Sequence, residues 1–288
     1  MAGIKELRLR IKALKNTSKI TAAMKMVSAA KLKRAQDAYT RAKPYAQGME
    51  EAVSRVLGAL ESPEHPLLQV RDVKRVRYVV VSSDRGLAGA FNNGLLRTFA
   101  RRPADSVPTE ALGVGRRARE FVARSERLDV VSFEATNVPT HANAEAIAQS
   151  LTRDFLDGKV DKVVLVYNRF NSVISQTPVF VPLLPLAPSA STASAAPAGQ
   201  YRDVYLFEPD EKTLLESLLP RLVTVQVFRA LLENAVGEHS ARMTAMDNAT
   251  KNTKDLIGSM SLTMNRARQA AITRELIEIV SGAEALKG

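Results

Sequence analysis

With 288 residues, 45% of them hydrophobic and 25% charged, the chain has room for one large soluble domain or two smaller ones. It has no cysteine, which excludes disulfides, thiolate metal sites and a cysteine nucleophile, and no stretch approaches the roughly 18 apolar residues that span a bilayer. The net charge of +11 is uneven: residues 1–43 carry 12 Lys and Arg against Glu6 and Asp37, whereas 210–288 carry ten of each sign.

The basic first segment reads either as a solvated helix face or as a surface for an acidic partner, whether protein, nucleic acid or lipid headgroup. From Gly3 to about Glu61 good helix formers dominate, and apolar residues fall at Ile4, Leu7, Ile11 and Leu14, then Ile20, Met24 and Val27. Steps of three and four are the seam of a coiled coil. Pro44 is expected to bend this helix, and Ser62-Pro63-Glu64-His65-Pro66 ends it. MAGIKELRLRIKALK has no apolar signal core, and Glu6 within continuous helical texture argues against a transit peptide, so a mature cytoplasmic chain is expected.

From about Val73 to Phe207 the texture changes. The runs 76–83, 111–114, 128–133 and 161–168 predict buried strands, with helices over 90–101, 116–125 and 141–157 between them. Such alternation predicts a mostly parallel sheet covered by helices. One or two antiparallel strands are expected over 169–185, ending in Pro182 and Pro185, and APSASTASAAPAG (187–199) reads as a flexible loop. From Pro209 helical texture returns, with Asp210 as its N-cap. A seam then runs through Leu232, Val236, His239, Met243, Met246, Thr250, Thr253, Ile257, Met260, Met264, Ala267 and Ala271. Pro220 is expected either to start or to kink this helix.

The predicted organisation is therefore an N-terminal coiled-coil helix (1–61), an α/β domain (73–207) and a C-terminal coiled-coil helix (209–288). Two terminal helices flanking one domain can pair only as an antiparallel coiled coil. His239, Thr250 and Thr253 interrupt the apolar seam. Such polar residues either fix register or belong to a stretch packed inside a partner. The Met24 and Met26 side chains carry the same ambiguity between ordinary core and a surface for changing partners.

Ile272, Thr273, Glu275, Glu278, Gly282 and Ala283, within ITRELIEIVSGAEAL (272–286), resemble the C-terminal signature of ATP synthase gamma subunits. IKALKNTSKITAAMKMVSAAKLKRAQ (11–36), SSDRGLAGAFN (82–92) and YLFEPD (205–210) resemble that family's other landmarks, in the right order across the whole chain. The resemblance implies a bacterial-type central rotor shaft: an antiparallel coiled coil with a Rossmann-like, mostly parallel α/β domain, carrying no catalysis, cofactor or metal. It implies that the shaft couples ion-driven rotation of the membrane c ring to ATP synthesis or hydrolysis in the ring of alpha and beta subunits.

By the same resemblance Met24, Lys25, Arg242, Arg268, Gln269 and Thr273 lie where the shaft touches the acidic catch loops of beta subunits. Tyr205, Phe207 and Glu208 match the region that meets the c ring and the epsilon subunit. The implied location is the cytoplasmic face of a bacterial inner membrane, peripheral and held there through the complex. The chain lacks the cysteine switch of chloroplast relatives.

Two motifs point elsewhere. Gly113-Val-Gly115-Arg-Arg-Ala118 fits G-x-G-x-x-A with Glu134 about 20 residues on, the spacing of a dinucleotide fingerprint. The run ALGV before it is short, which places Gly113 within the strand, and the family uses this segment as a structural turn. Ser82–Gly89 could cradle an anion before a helix, yet no G-x-x-x-x-G-K-[ST] is present. His65, His141 and His239 show no metal or triad spacing. The rival class is a nucleic-acid-binding protein, which pI 9.9 allows. Aromatics for base stacking are nearly absent from residues 1–60, and no nucleic-acid partner is expected.

Overall fold

The computed structural model describes residues 2–60, 64–103, 107–124, 129–133, 139–186 and 210–285. Glu134, the 187–199 run, Tyr205, Phe207 and Glu208 lie outside them. The chain forms two compact units: residues 1–29 with 242–288, and residues 30–241. Helices α1 (Ala2–Ala59) and α5 (Glu211–Ala285) contribute to both.

The larger unit is built on a five-stranded sheet of order β3-β2-β1-β4-β5. Its strands are β1 (Val76–Val81), β2 (Thr109–Val114), β3 (Asp129–Phe133), β4 (Lys162–Phe170) and β5 (Gln176–Leu184). The first four are parallel and β5 returns antiparallel as an edge. VRYVVV of β1 is buried at every position, as a central parallel strand covered on both faces must be. Pro178 and Pro182 lie on β5, where an edge strand tolerates residues without an N–H.

One face of the sheet packs against α2 (Phe91–Ala100) and α3 (Arg116–Ala123), through Tyr78, Val80, Leu95, Phe99, Ala118 and Val122. The other packs Val79, Val81, Leu165 and Tyr167 against α4 (His141–Leu156), α1 from Val53 to Leu57, and α5 from Leu215 to Leu231. Thr140 opens α4 with a capping box closed by Asn143.

Asp210 caps α5, accepting from the Thr213 amide at 2.7 Å and from its hydroxyl at 2.8 Å. The helix therefore starts upstream of Pro220 and runs through it. Leu215, Leu219, Leu222 and Val223 are buried on the turns either side, and this apolar contact holds the helix where proline removes one backbone bond. Helix α1 likewise runs through Pro44.

In the smaller unit α1 and α5 pair antiparallel. Thr250 Oγ1 donates to Thr21 Oγ1 at 2.8 Å, and Lys25 Nζ to Asp247 Oδ1 at 2.6 Å, so rising numbers on one helix meet falling numbers on the other. Every α5 seam position in this unit, from Met243 to Ala271, is buried or half-buried. The α1 seam departs from the expected one. Ile4, Leu7, Ile11 and Leu14 face inward, but the inward row continues through Ser18, Thr21 and Ser28. Ile20 is 60% exposed and Val27 57%. Small hydroxyl residues let the two backbones approach where Ile and Val would hold them apart. Their hydroxyls are satisfied: Thr21 bonds the Ser18 carbonyl and Thr253 the Ala249 carbonyl.

Candidate functional site

Of the residues expected to meet a partner, the described ones lie on the paired helices of the smaller unit, in two groups. Met24, Lys25 and Arg242 belong to the stretch where α1 and α5 run together. Arg268, Gln269 and Thr273 lie near the end of α5 and are exposed. At 1.5 Å per residue, Arg268 is about 30 Å further along α5 than Asp247. Met24 is half-buried, on the flank of the seam. Arg242 is 7% exposed, so it is mostly covered by its own chain.

Lys25 is half-exposed and already paired with Asp247, which also receives Lys251 Nζ at 3.0 Å. Asp247 follows the seam residue Met246, the flanking position at which coiled coils place charged pairs across the interface. The alternation of seam and flank was therefore the signal for this partner, which reading each helix separately did not supply. The hydrogen bond from Lys25, and then that from Lys251, holds the Asp247 carboxyl below its ordinary value. A carboxyl depressed on folding contributes stability that is complete above its unfolded pKa, about 3.9, and is lost as pH falls through the lower folded value. Asp247→Asn is accordingly expected to flatten the acid limb of helix loss below about pH 4, followed by circular dichroism. Superimposable acid limbs for the two proteins would show that the pair carries no stability.

The dinucleotide-like segment is occupied by the protein itself. Gly115 opens α3 at φ +88°. The Arg116 amide donates to Asp84 Oδ1 at 2.8 Å, the Arg117 amide to the Ser83 carbonyl at 3.3 Å, and the Ala118 amide to Ser82 Oγ at 2.7 Å. The first-turn donors that would hold a pyrophosphate are thus all taken by the loop after β1. The two glycines serve packing. A methyl on Gly113 would lie 2.8 Å from the Arg119 amide nitrogen, and one on Gly115 only 2.4 Å from the Ser82 carbonyl oxygen. Ser83, in the Ser82–Gly89 loop, accepts from Asn92 Nδ2 of α2 at 2.8 Å.

The three histidines stay apart in role. His65 Nδ1 accepts from the Leu67 amide at 3.1 Å, His141 stands edge-on to Phe228, and His239 is buried. Among the described residues, no three His, Asp or Glu side chains gather as a metal site, and no helix is long and apolar enough to cross a membrane.

The family model described as ATP synthase matches residues 3–286. The ATP synthase gamma chain of Granulibacter bethesdensis is 49% identical over 302 residues, covering 99% of this chain and all of the relative. The chain belongs to the ATP synthase gamma-chain family. As a gamma chain it is a central-stalk subunit and not the one that performs the chemistry. Among solved structures it is similar to a chain from the central stalk and c-ring of Tetrahymena thermophila mitochondrial ATP synthase. That match has 26% identity and a TM-score of 0.61, and it covers 80% of this chain and 99% of that one. A chain of the Euglena gracilis mitochondrial ATP synthase shares the fold at 20% identity, with a TM-score of 0.73 and coverage of 99% and 95%. The gamma-chain fold thus accounts for both the mostly parallel sheet and the paired helices.

Proposed function

We propose that this chain is the rotor shaft that couples ion-driven rotation of a membrane c ring to conformational change in the alpha and beta subunits of an ATP synthase. The observation that carries the reading is the end of α5. Thr21 sits opposite Thr250, so an antiparallel register places Ile4 near residue 267. No described residue of α1 is then left to face α5 beyond about 271. That stretch nevertheless exposes Ile272, Leu276, Ile277, Ile279 and Val280, each by about half or more. A lone helix with so much apolar surface in water needs a surrounding partner, which a ring of alpha and beta subunits supplies.

In this reading Met24, Lys25, Arg268, Gln269 and Thr273 face the catch loops of beta subunits. Arg268 is the exposed cation that meets acidic side chains, and Lys25 exchanges Asp247 for a loop carboxylate. Arg242, which its own chain covers, joins them only as the loop uncovers it. Tyr205, Phe207 and Glu208 meet the c ring and the epsilon subunit, and the α/β domain of 73–207 faces the membrane. The complex then sits at the cytoplasmic face of a bacterial inner membrane. The shaft acts by biasing the conformational equilibria of its neighbours, which a rigid asymmetric element can do without bond chemistry of its own.

The test is reconstitution. Alpha and beta subunits should be recovered with the chain in a fixed ratio, and salt-sensitive retention of DNA without them would overturn the proposal. Met24→Lys is expected to assemble normally yet pump fewer ions per ATP, because the added cation pairs with an acidic loop and drags on rotation. An unchanged pumping ratio would remove Met24 from the beta-facing surface.

A further inference from the structure

In a sheet of this order the chain leaves β1 toward β2 and later returns to β4 on the other side. The crevice that such sheets offer to ligands therefore lies at the carboxyl ends of β1 and β4. Here the crevice is filled by α5. Asn234, 5% exposed, donates Nδ2 to the Ser82 carbonyl at the end of β1, at 3.3 Å. Gly237 lies against Phe91, the first residue of α2. A methyl there would sit 2.9 Å from Phe91 Cε2 and 3.4 Å from Gln176 Cγ of β5. The Phe91 carbonyl is itself pinned by Asn168 Nδ2 of β4, at 3.1 Å. Ser240, fully buried, donates its hydroxyl to the Val173 carbonyl in the turn between β4 and β5.

These three residues follow one another at steps of three along one side of α5. Below them α5 rests on the sheet through apolar side chains such as Leu219, Val223 and Val227. Apolar contact is non-directional and resists turning of a helix about its own axis only weakly. Hydrogen bonds with fixed donor and acceptor directions, and a glycine with no clearance for a methyl, resist it strongly.

We infer that Asn234, Gly237 and Ser240 form the seat through which the α/β unit grips α5 and delivers torque to it, so that the ligand crevice of the fold serves as a socket for the shaft. The inference rests on the rotor reading. The seat makes slip between the sheet and the helix the event that separates hydrolysis from pumping.

The experiment uses the full chain, first alone and then reconstituted with its partner subunits and membrane sector. In the double variant Asn234→Ala/Ser240→Ala, amide exchange over 231–240 should quicken about thirtyfold, the product of roughly fivefold for each of the two lost buried hydrogen bonds. Subunit recovery and ATP hydrolysis should persist while ions pumped per ATP fall. Val122→Ala, which opens the opposite face of the sheet, is the control for general loosening and should leave that ratio unchanged. Two results overturn the seat: an unaltered ratio in the double variant, whether or not exchange quickens, or an equal fall in Val122→Ala. Failure of the unsubstituted chain to join alpha and beta subunits would instead remove the rotor reading, and the seat's role with it.

Discussion

Glu110→Ala is expected to lower the stability of the sheet unit by about 3 kcal/mol, near the low end of the range for breaking a buried ion pair. Arg77, with its side chain 5% exposed, is held on β1 by Glu110 of β2 through Nε at 2.8 Å and Nη2 at 2.7 Å, and by Asp154 of α4 through Nη1. Arg75 reaches the other Glu110 oxygen at 3.3 Å, and Lys159 bonds Asp154 at 3.0 Å. Burial pushes the Asp154 carboxyl up, but the bonds from Arg77 and Lys159 outweigh it and hold the group below its ordinary value. Removing Glu110 leaves a buried guanidinium with Asp154 as its remaining carboxylate, which is why the loss falls short of the full penalty.

Hydrogen exchange of the β1 and β2 amides is the appropriate measure, because a chain of two units need not unfold in a single transition. The double replacement Arg77→Met/Glu110→Leu should recover most of the loss, since apolar pairs of similar volume often replace buried ion pairs at no cost. A loss below about 1 kcal/mol for Glu110→Ala, the scale of an exposed pair, would mean that water reaches the guanidinium.

Gly115→Ala should be comparably damaging for a different reason. The new methyl would stand 2.4 Å from the Ser82 carbonyl oxygen, a backbone atom that cannot swing aside, and the residue would have to hold φ +88°. At ψ 148° this backbone lies in a region almost confined to glycine, which costs a side-chain-bearing residue roughly 1–3 kcal/mol, and forced overpacking adds about 1–3 kcal/mol. The damage should be local at first. Exchange of the Arg116, Arg117 and Ala118 amides, which bond the loop after β1, should quicken before that of β4. Uniform loss across the sheet would point to general unfolding instead.

How legible the structure was in the sequence depends on whether neighbours along the chain or across space decide each position. The α5 seam repeats its own signal over many turns, and its inward positions follow it. The strand runs were equally plain, with instructive errors at their ends. The run 76–83 stops as a strand at Val81, because Ser82 and Ser83 turn away to serve α3 and α2. β2 starts two residues before ALGV, at Thr109, and includes Glu110. A carboxylate inside a buried strand contradicts every local rule until Arg77 is seen beside it. The α1 seam erred because periodicity rewards large apolar residues, whereas the buried positions are Thr21, which bonds Thr250 across the pair, and Ser28. Asn234, Gly237 and Ser240 were legible only as seam neighbours, for their partners lie some 65 to 150 residues away in sequence.

The prolines of β5 bear on self-association. Pro178 and Pro182 stand four residues apart and so point their missing donors to the same side of the strand. The ladder to β4 continues past both, which puts the gaps on the outer edge. A second strand approaching there would find two of its expected donors absent, and the sheet would not readily extend across this edge into another molecule. For a subunit proposed to turn among others, an edge that does not adhere is as much a requirement as a core that holds.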